Sequence, residues 1–239
     1  MTALVKGELI KVTTTRTAAA YAALALALAV ASVLLTILPA SDELGTLAEK
    51  KEAIGGAPIL MLLLGLVGAA GEYRHRTAAP AALVSGRAAS QLLVPRATAY
   101  AIVGIAIAAP ALVLTLAIGL PLLSGEPGPG LGSGDVALVA IGTLVAAAIS
   151  AIIGVAVGAL VRNQVAAVIG TLVFVFVVLP LVQLASPTAL NITPVAAGAG
   201  FAGAQLDDLS WAAAGLILAG WAVVLMLGAV ASERRRDLA

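Results

Sequence analysis

The chain has 239 residues, 62% hydrophobic and only 10% charged, where soluble domains carry about 25% charged residues. A water-soluble fold of this length cannot hide so much apolar surface, so the solvent for this chain is a bilayer. A formal net charge of +1 provides no global field for nucleic acid, and the lack of Cys excludes disulfides, thiolate metal sites and cysteine nucleophiles.

Residues 1–16, MTALVKGELIKVTTTR, read as a short helix lying on the inner membrane surface. Val5, Leu9 and Val12 share one helical face, with Lys6, Glu8 and Lys11 off it, and Ile10 interrupts the pattern. The plainer reading is a basic flank that orients the first span. A bilayer core about 30 Å thick needs roughly 20 apolar residues of helix. Six segments are expected to span: Thr17–Leu38, Ala53–Gly71, Ala97–Leu123, Val136–Val161, Val165–Ser186 and Trp211–Ser232. The first is longer than a secretory h-region and is expected to be retained. None carries Asp, Glu, Lys, Arg or His in its interior, where a charge costs on the order of 3 kcal/mol or more.

The connections differ in composition. Residues 40–52, ASDELGTLAEKKE, are polar and mixed in charge, and residues 124–135, SGEPGPGLGSGD, form a Gly/Pro turn that no helix crosses. The short link Arg162-Asn163-Gln164 makes the fourth and fifth spans an antiparallel hairpin. Residues 187–208 are apolar but broken by Pro187, Pro194 and three glycines. They read as a re-entrant or interfacial pair of short helices, because broken backbone at membrane depth must be shielded by protein or line a wet cavity.

Orientation follows from Lys and Arg. With the N-terminus inside, the inner side receives Lys6, Lys11, Arg16, Arg74, Arg76, Arg87, Arg96, Arg162 and Arg234 to Arg236; the outer side receives only Lys50 and Lys51. Asp42, Glu43, Glu49, Glu52, Glu126, Asp135, Asp207 and Asp208 fall outside. Both termini are thus expected in the cytoplasm.

Gly142, Ala146, Ser150, Gly154 and Gly158 recur at spacing four and form a ridge of small residues. Lipid gives no hydrophobic drive between helices, so this ridge predicts a close helix–helix contact. Gly65, Gly68 and Gly71 make a weaker version at spacing three. Pro110 and Pro180 are expected to disturb their helices locally. Tyr100, Thr115, Thr171 and Gln183 are scattered polar groups, expected to bond neighbouring helices.

No catalytic constellation emerges. The chain lacks HExxH, GxSxG and GxxxxGK[ST], and His75 is its single histidine. No catalytic, cofactor or metal residues are nominated. The uncharged span interiors also argue against proton- or sodium-coupled transport. If the chain moves a solute uphill, the energy is expected to come from another polypeptide.

The largest inner loop, residues 72–96, begins within GEYRHRT. Glu72 and Arg76 are four apart and are placed to pair on a helix face. Pro80 and Pro95 bracket a second stretch, expected to lie along the inner surface and turn into the third span. Taken alone, GEYRHRT is a basic anchor of the inner side.

Taken together, four features resemble the ABC-2-type permeases, membrane subunits of bacterial ABC exporters with an ABCG-like, type V transmembrane fold. They are the basic helix ending in ELIKVTTTRT, the GEYRHRT stretch, six spans with both ends inside, and the broken segment before the last span. The likeness covers the chain as a single transmembrane domain, 1–239; Arg76 stands where the family pattern has Gly. The resemblance implies an all-α membrane fold with a cytoplasmic coupling helix. It implies a pair of permease subunits, expected to be a homodimer, in the plasma membrane. A separate ATPase subunit holding ATP and magnesium docks on the inner face. By the same resemblance Glu72, Tyr73, Arg74, His75, Arg76 and Thr77 are the coupling contacts, and Lys6, Glu8 and Lys11 belong to the connecting helix. The competing readings are a stand-alone channel or secondary carrier for a small hydrophobic or amphipathic solute, and a polytopic enzyme or assembly factor. Apolar spans suggest an apolar or amphipathic cargo.

Overall fold

The computed structural model describes residues 2–37, 44–56, 58–75, 77, 85–86, 88–205 and 209–237. Every regular element among them is helical. In chain order they are α1 (Thr2–Thr13), α2 (Arg16–Ile37), α3 (Leu47–Ala53), α4 (Ile59–Arg74), α5 (Ala89–Leu123), α6 (Ser133–Val161), α7 (Gln164–Ala185), α8 (Pro187–Asn191), α9 (Pro194–Phe201) and α10 (Trp211–Asp237). Five of these, α2, α5, α6, α7 and α10, are long and apolar enough to cross a membrane. The architecture is compatible with an all-α, multi-pass membrane protein.

α6 is the hub. Of its most apolar window 44% is buried, against 11% for α7 and 17% for α2. Its small residues account for the difference, because they let other backbones come close. A Cβ on Gly154 would lie 1.9 Å from the Leu62 carbonyl oxygen of α4, and one on Gly158 would lie 2.6 Å from that of Leu66. Gly65 answers from α4, where a Cβ would sit 2.2 Å from the Ala151 oxygen. Ala146 and Ser150, also on the ridge, are buried. At the other end of the ridge, Gly142 abuts the Phe201 carbonyl at the end of α9. Both partners of the ridge, α4 and α9, are therefore in the same chain.

The second expected span is different in kind. The helix does not run on from Ala53. α3 ends there, the backbone leaves the helix at Ile54–Gly56, and α4 starts at Ile59 and continues to Arg74. Its 16 residues reach only about 24 Å. Two glycines and Pro58 cause the interruption: Gly55 and Gly56 approach Ala202 and Thr143 more closely than a Cβ would permit. Just before the break, part of the polar, mixed-charge connection forms α3. A capping box starts it, in which Thr46 Oγ1 accepts from Glu49 N and Glu49 Oε2 accepts from Thr46 N.

The third helix begins at Ala89, earlier than Ala97, and Pro95 lies inside it instead of turning the chain. The missing N–H costs one ladder bond, to the carbonyl of exposed Gln91. α7 winds as π-helix over Phe174–Val178, directly before Pro180. The α6–α7 turn rests on Arg162 in the left-handed conformation (φ 56°) and on Asn163, whose Oδ1 accepts from Ala166 N.

Charged side chains collect at two ends of the helix bundle. Among the described residues, Glu8, Lys11, Glu72, Arg96, Arg162 and Glu233 pair only with one another, while Lys51 pairs with Asp135 at 2.7 Å. Among the described residues no ion pair joins an expected inner residue to an expected outer one.

Candidate functional site

At the first of these ends α1 packs over α4 and α5. Val12 is buried among Leu64, Ala97 and Tyr100, with Leu9 beside it. That seat brings Lys11 onto Glu72, the first ionisable residue of GEYRHRT, and Lys11 also pairs with Glu8 at 2.7 Å. Arg96, one of the most buried charged residues at 3% exposure, pairs with Glu72 and lies 3.5 Å from Glu8. Two carboxylates thus face two cations across three helices. Glu72, placed by sequence spacing to pair with Arg76, is committed to Lys11 and Arg96; Arg76 lies outside the described residues.

A second cluster lies on the far side of α4. The Tyr73 hydroxyl donates to Glu233 of α10, and Arg162 pairs with the other Glu233 oxygen at 2.5 Å. The Arg162 guanidinium also lies 4.8 Å from the Tyr73 ring centroid. Glu233 is 3% exposed, so the carboxylate is held by protein and not by water. One acid thereby fastens the ends of α4, α6 and α10.

Of the expected coupling residues, Glu72 and Tyr73 turn inward, whereas Arg74, His75 and Thr77 are exposed. Arg74 Nη1 donates to Gln164 Oε1 at 3.3 Å, which holds it against the start of α7. Thr77 N donates to the Glu72 carbonyl at 2.9 Å and folds the chain back after the helix. Lys6 is exposed on α1. Between α1, α4, α5 and α7 lies a cavity of about 380 Å³, whose lining includes Lys11, Glu72, His75, Tyr100 and Gln164. Among the described residues no three His, Asp or Glu gather to hold a metal ion.

No protein-family model and no curated protein sequence matches this chain.

The opposite end is tied by different means. Lys50, 1% exposed, donates to the carbonyls of Glu126 and Pro129, both at 3.2 Å, and so carries the Gly/Pro turn on α3. The two interrupted segments meet on α6. Thr143 Oγ1 accepts from Gly56 N at 3.2 Å and donates to the Ala202 carbonyl at 3.4 Å. The two tryptophans of the chain serve α8 and α9. Trp211 Nε1 donates to Phe201 O at 2.9 Å, and Trp221 Nε1 donates to Ile192 O at 2.8 Å. Reading the sequence alone does not single out Arg96, Glu233, Thr143 or either Trp. A usable signal exists for the acids: Glu8, Glu72 and Glu233 stand in sequence among the cations expected inside, and each is paired.

Proposed function

We propose that this chain is the membrane subunit of an ATP-driven exporter of the ABC-2 type, working as a pair and driven by a separate ATPase subunit. In this reading α4 is a sixth, shortened crossing, both termini face the cytoplasm, and α8 and α9 form a re-entrant segment from the outer side. The observation that carries it is the Lys11–Glu72 pair. It joins the two segments on which the resemblance rests, the N-terminal helix and GEYRHRT. Arg74 and His75 remain exposed beside them. A push on Arg74 and His75 would reach α1, α4 and α5 together through that cluster. The segregation of charge to two ends also supports the reading.

The test is co-purification with a Walker-motif ATPase subunit from the same cell, followed by transport-coupled ATP hydrolysis in liposomes. The Arg74→Glu, His75→Glu double variant is expected to lose the assembly. If assembly and coupled hydrolysis persist unchanged, the coupling assignment is wrong. Flux without any ATPase subunit would instead favour a stand-alone carrier.

A further inference from the structure

α2 touches the rest of the chain only in part. Its sequence ALALALAVAS puts alanines where bulkier side chains would fill the space against α4, α5 and α6. The result is a cavity of about 320 Å³. Its lining on α2 runs from Ala25 to Leu35, about 15 Å along the helix, which makes it a slot and not a chamber. Leu28 and Leu35, on its rim, are 41% and 74% exposed, so the slot opens sideways onto hydrocarbon.

The lining is graded. Toward the end that carries Lys51 and Asp135 it holds Ser32, Thr115, Thr143 and the non-helical backbone of Gly55 and Gly56. Toward the middle of the bundle it holds Ala25, Met61, Ala108 and Ala147 and no polar side chain. Ser32 and Thr143 already bond backbone groups. Thr115, only 5% exposed, has no hydrogen-bond partner among the described residues. A lone buried hydroxyl above an apolar cleft suits a ligand with a polar group at one end and a hydrocarbon chain at the other.

We propose that the slot binds a single alkyl chain of a membrane amphiphile from the outer leaflet, with its polar end at Thr115 and its chain running down between α2 and α5. The leaflet rests on the orientation given under the proposed function; the ligand class rests on the slot alone.

The test uses the full chain in nanodiscs containing a phosphatidylcholine with a photoreactive diazirine in one acyl chain. Adducts are mapped by mass spectrometry. A diazirine near the ester is expected to label residues 32–35 and 112–115, and one at the chain end residues 25–29 and 108–111. Filling the slot with Ala111→Trp, or from the opposite wall with Ala29→Trp, is expected to abolish these adducts. Labelling of α7 and α10 should persist, and a cooperative thermal midpoint in detergent close to that of the parent shows that the variants remain folded. Thr115→Val should leave the chain-end adducts and reduce those near the ester. Adducts that follow exposure, falling mainly on α7 and α10 whatever the diazirine position and unmoved by either Trp, would overturn the proposal. No ATPase subunit is present, so this result and the co-purification result fail independently.

Discussion

The indole N–H of Trp221 donates to the carbonyl of Ile192 across 2.8 Å, tying the middle of α10 to the bend between α8 and α9. In the re-entrant placement proposed above, the carbonyl has no ready substitute for the indole. Trp221→Phe keeps the aromatic ring and removes the donor. The orphaned carbonyl should cost about 1–3 kcal/mol. Hydrogen exchange over residues 187–201 is expected to quicken, and Trp211→Phe should act likewise at the end of α9. Exchange unchanged in both variants would mean that the indoles do not fasten this segment.

Arg96 is buried against Glu72, and the two charges are far more costly apart than together. Glu72→Gln should destabilise the protein by about 3–5 kcal/mol, because it leaves the buried guanidinium with Glu8 alone, 3.5 Å away. Replacing both residues by Met should restore much of that loss. The measurement is the thermal midpoint in detergent. Equal losses in the single and double variants would show that packing, and not uncompensated charge, governs the site.

Gly154 and Gly170 occupy neighbouring spans and should respond oppositely to alanine. A Cβ at Gly154 meets the Leu62 carbonyl oxygen at 1.9 Å, while nothing lies within 4 Å of one at Gly170. Gly154→Ala should cost roughly 1–3 kcal/mol by forcing α4 away from α6. Gly170→Ala should gain up to about 1 kcal/mol of helix propensity. Similar midpoints for the two variants would contradict the close contact between α4 and α6.

Glu49 offers a pH test at the opposite end. Its carboxylate accepts from Thr46 N, and this hydrogen bond lowers its pKa below the ordinary 4.5. A group whose pKa falls on folding stabilises above its unfolded value, and that contribution fades as pH drops through the folded one. Amide exchange at the start of α3 should therefore rise, relative to the intrinsic rate, once the pH falls below about 4.5. Glu49→Gln should remove the pH response. A response that survives the substitution belongs to another group.

The long apolar helices were legible because hydropathy and length decide them almost alone. The ridge from Gly142 to Gly158 was legible as a spacing, though not the identity of its partners. The interruption at Gly55-Gly56 and Pro58 was less so. Those breakers are visible in the sequence, but they lie in an apolar run, and averaging over the run conceals them. Charge pairing was the least legible. Spacing on a helix points Glu72 to Arg76, whereas its partners Lys11 and Arg96 come from other helices. Glu233 stands beside three arginines in sequence, and its partners Tyr73 and Arg162 reach it only through the fold.

The Thr143 hydroxyl bonds Gly56 and Ala202 at once, so two interruptions far apart in sequence share one joint. Tilting the start of α4 strains the bond to Gly56, and lifting the end of α9 strains the bond to Ala202. A movement that begins in either segment is felt by the other through that hydroxyl, through the close approach of Gly55 to Ala202, and through Gln205 N, which donates to Glu52 Oε2 at 3.3 Å. The end of the bundle that carries Lys51 and Asp135 thus holds one shared joint where its topology suggests two independent hinges.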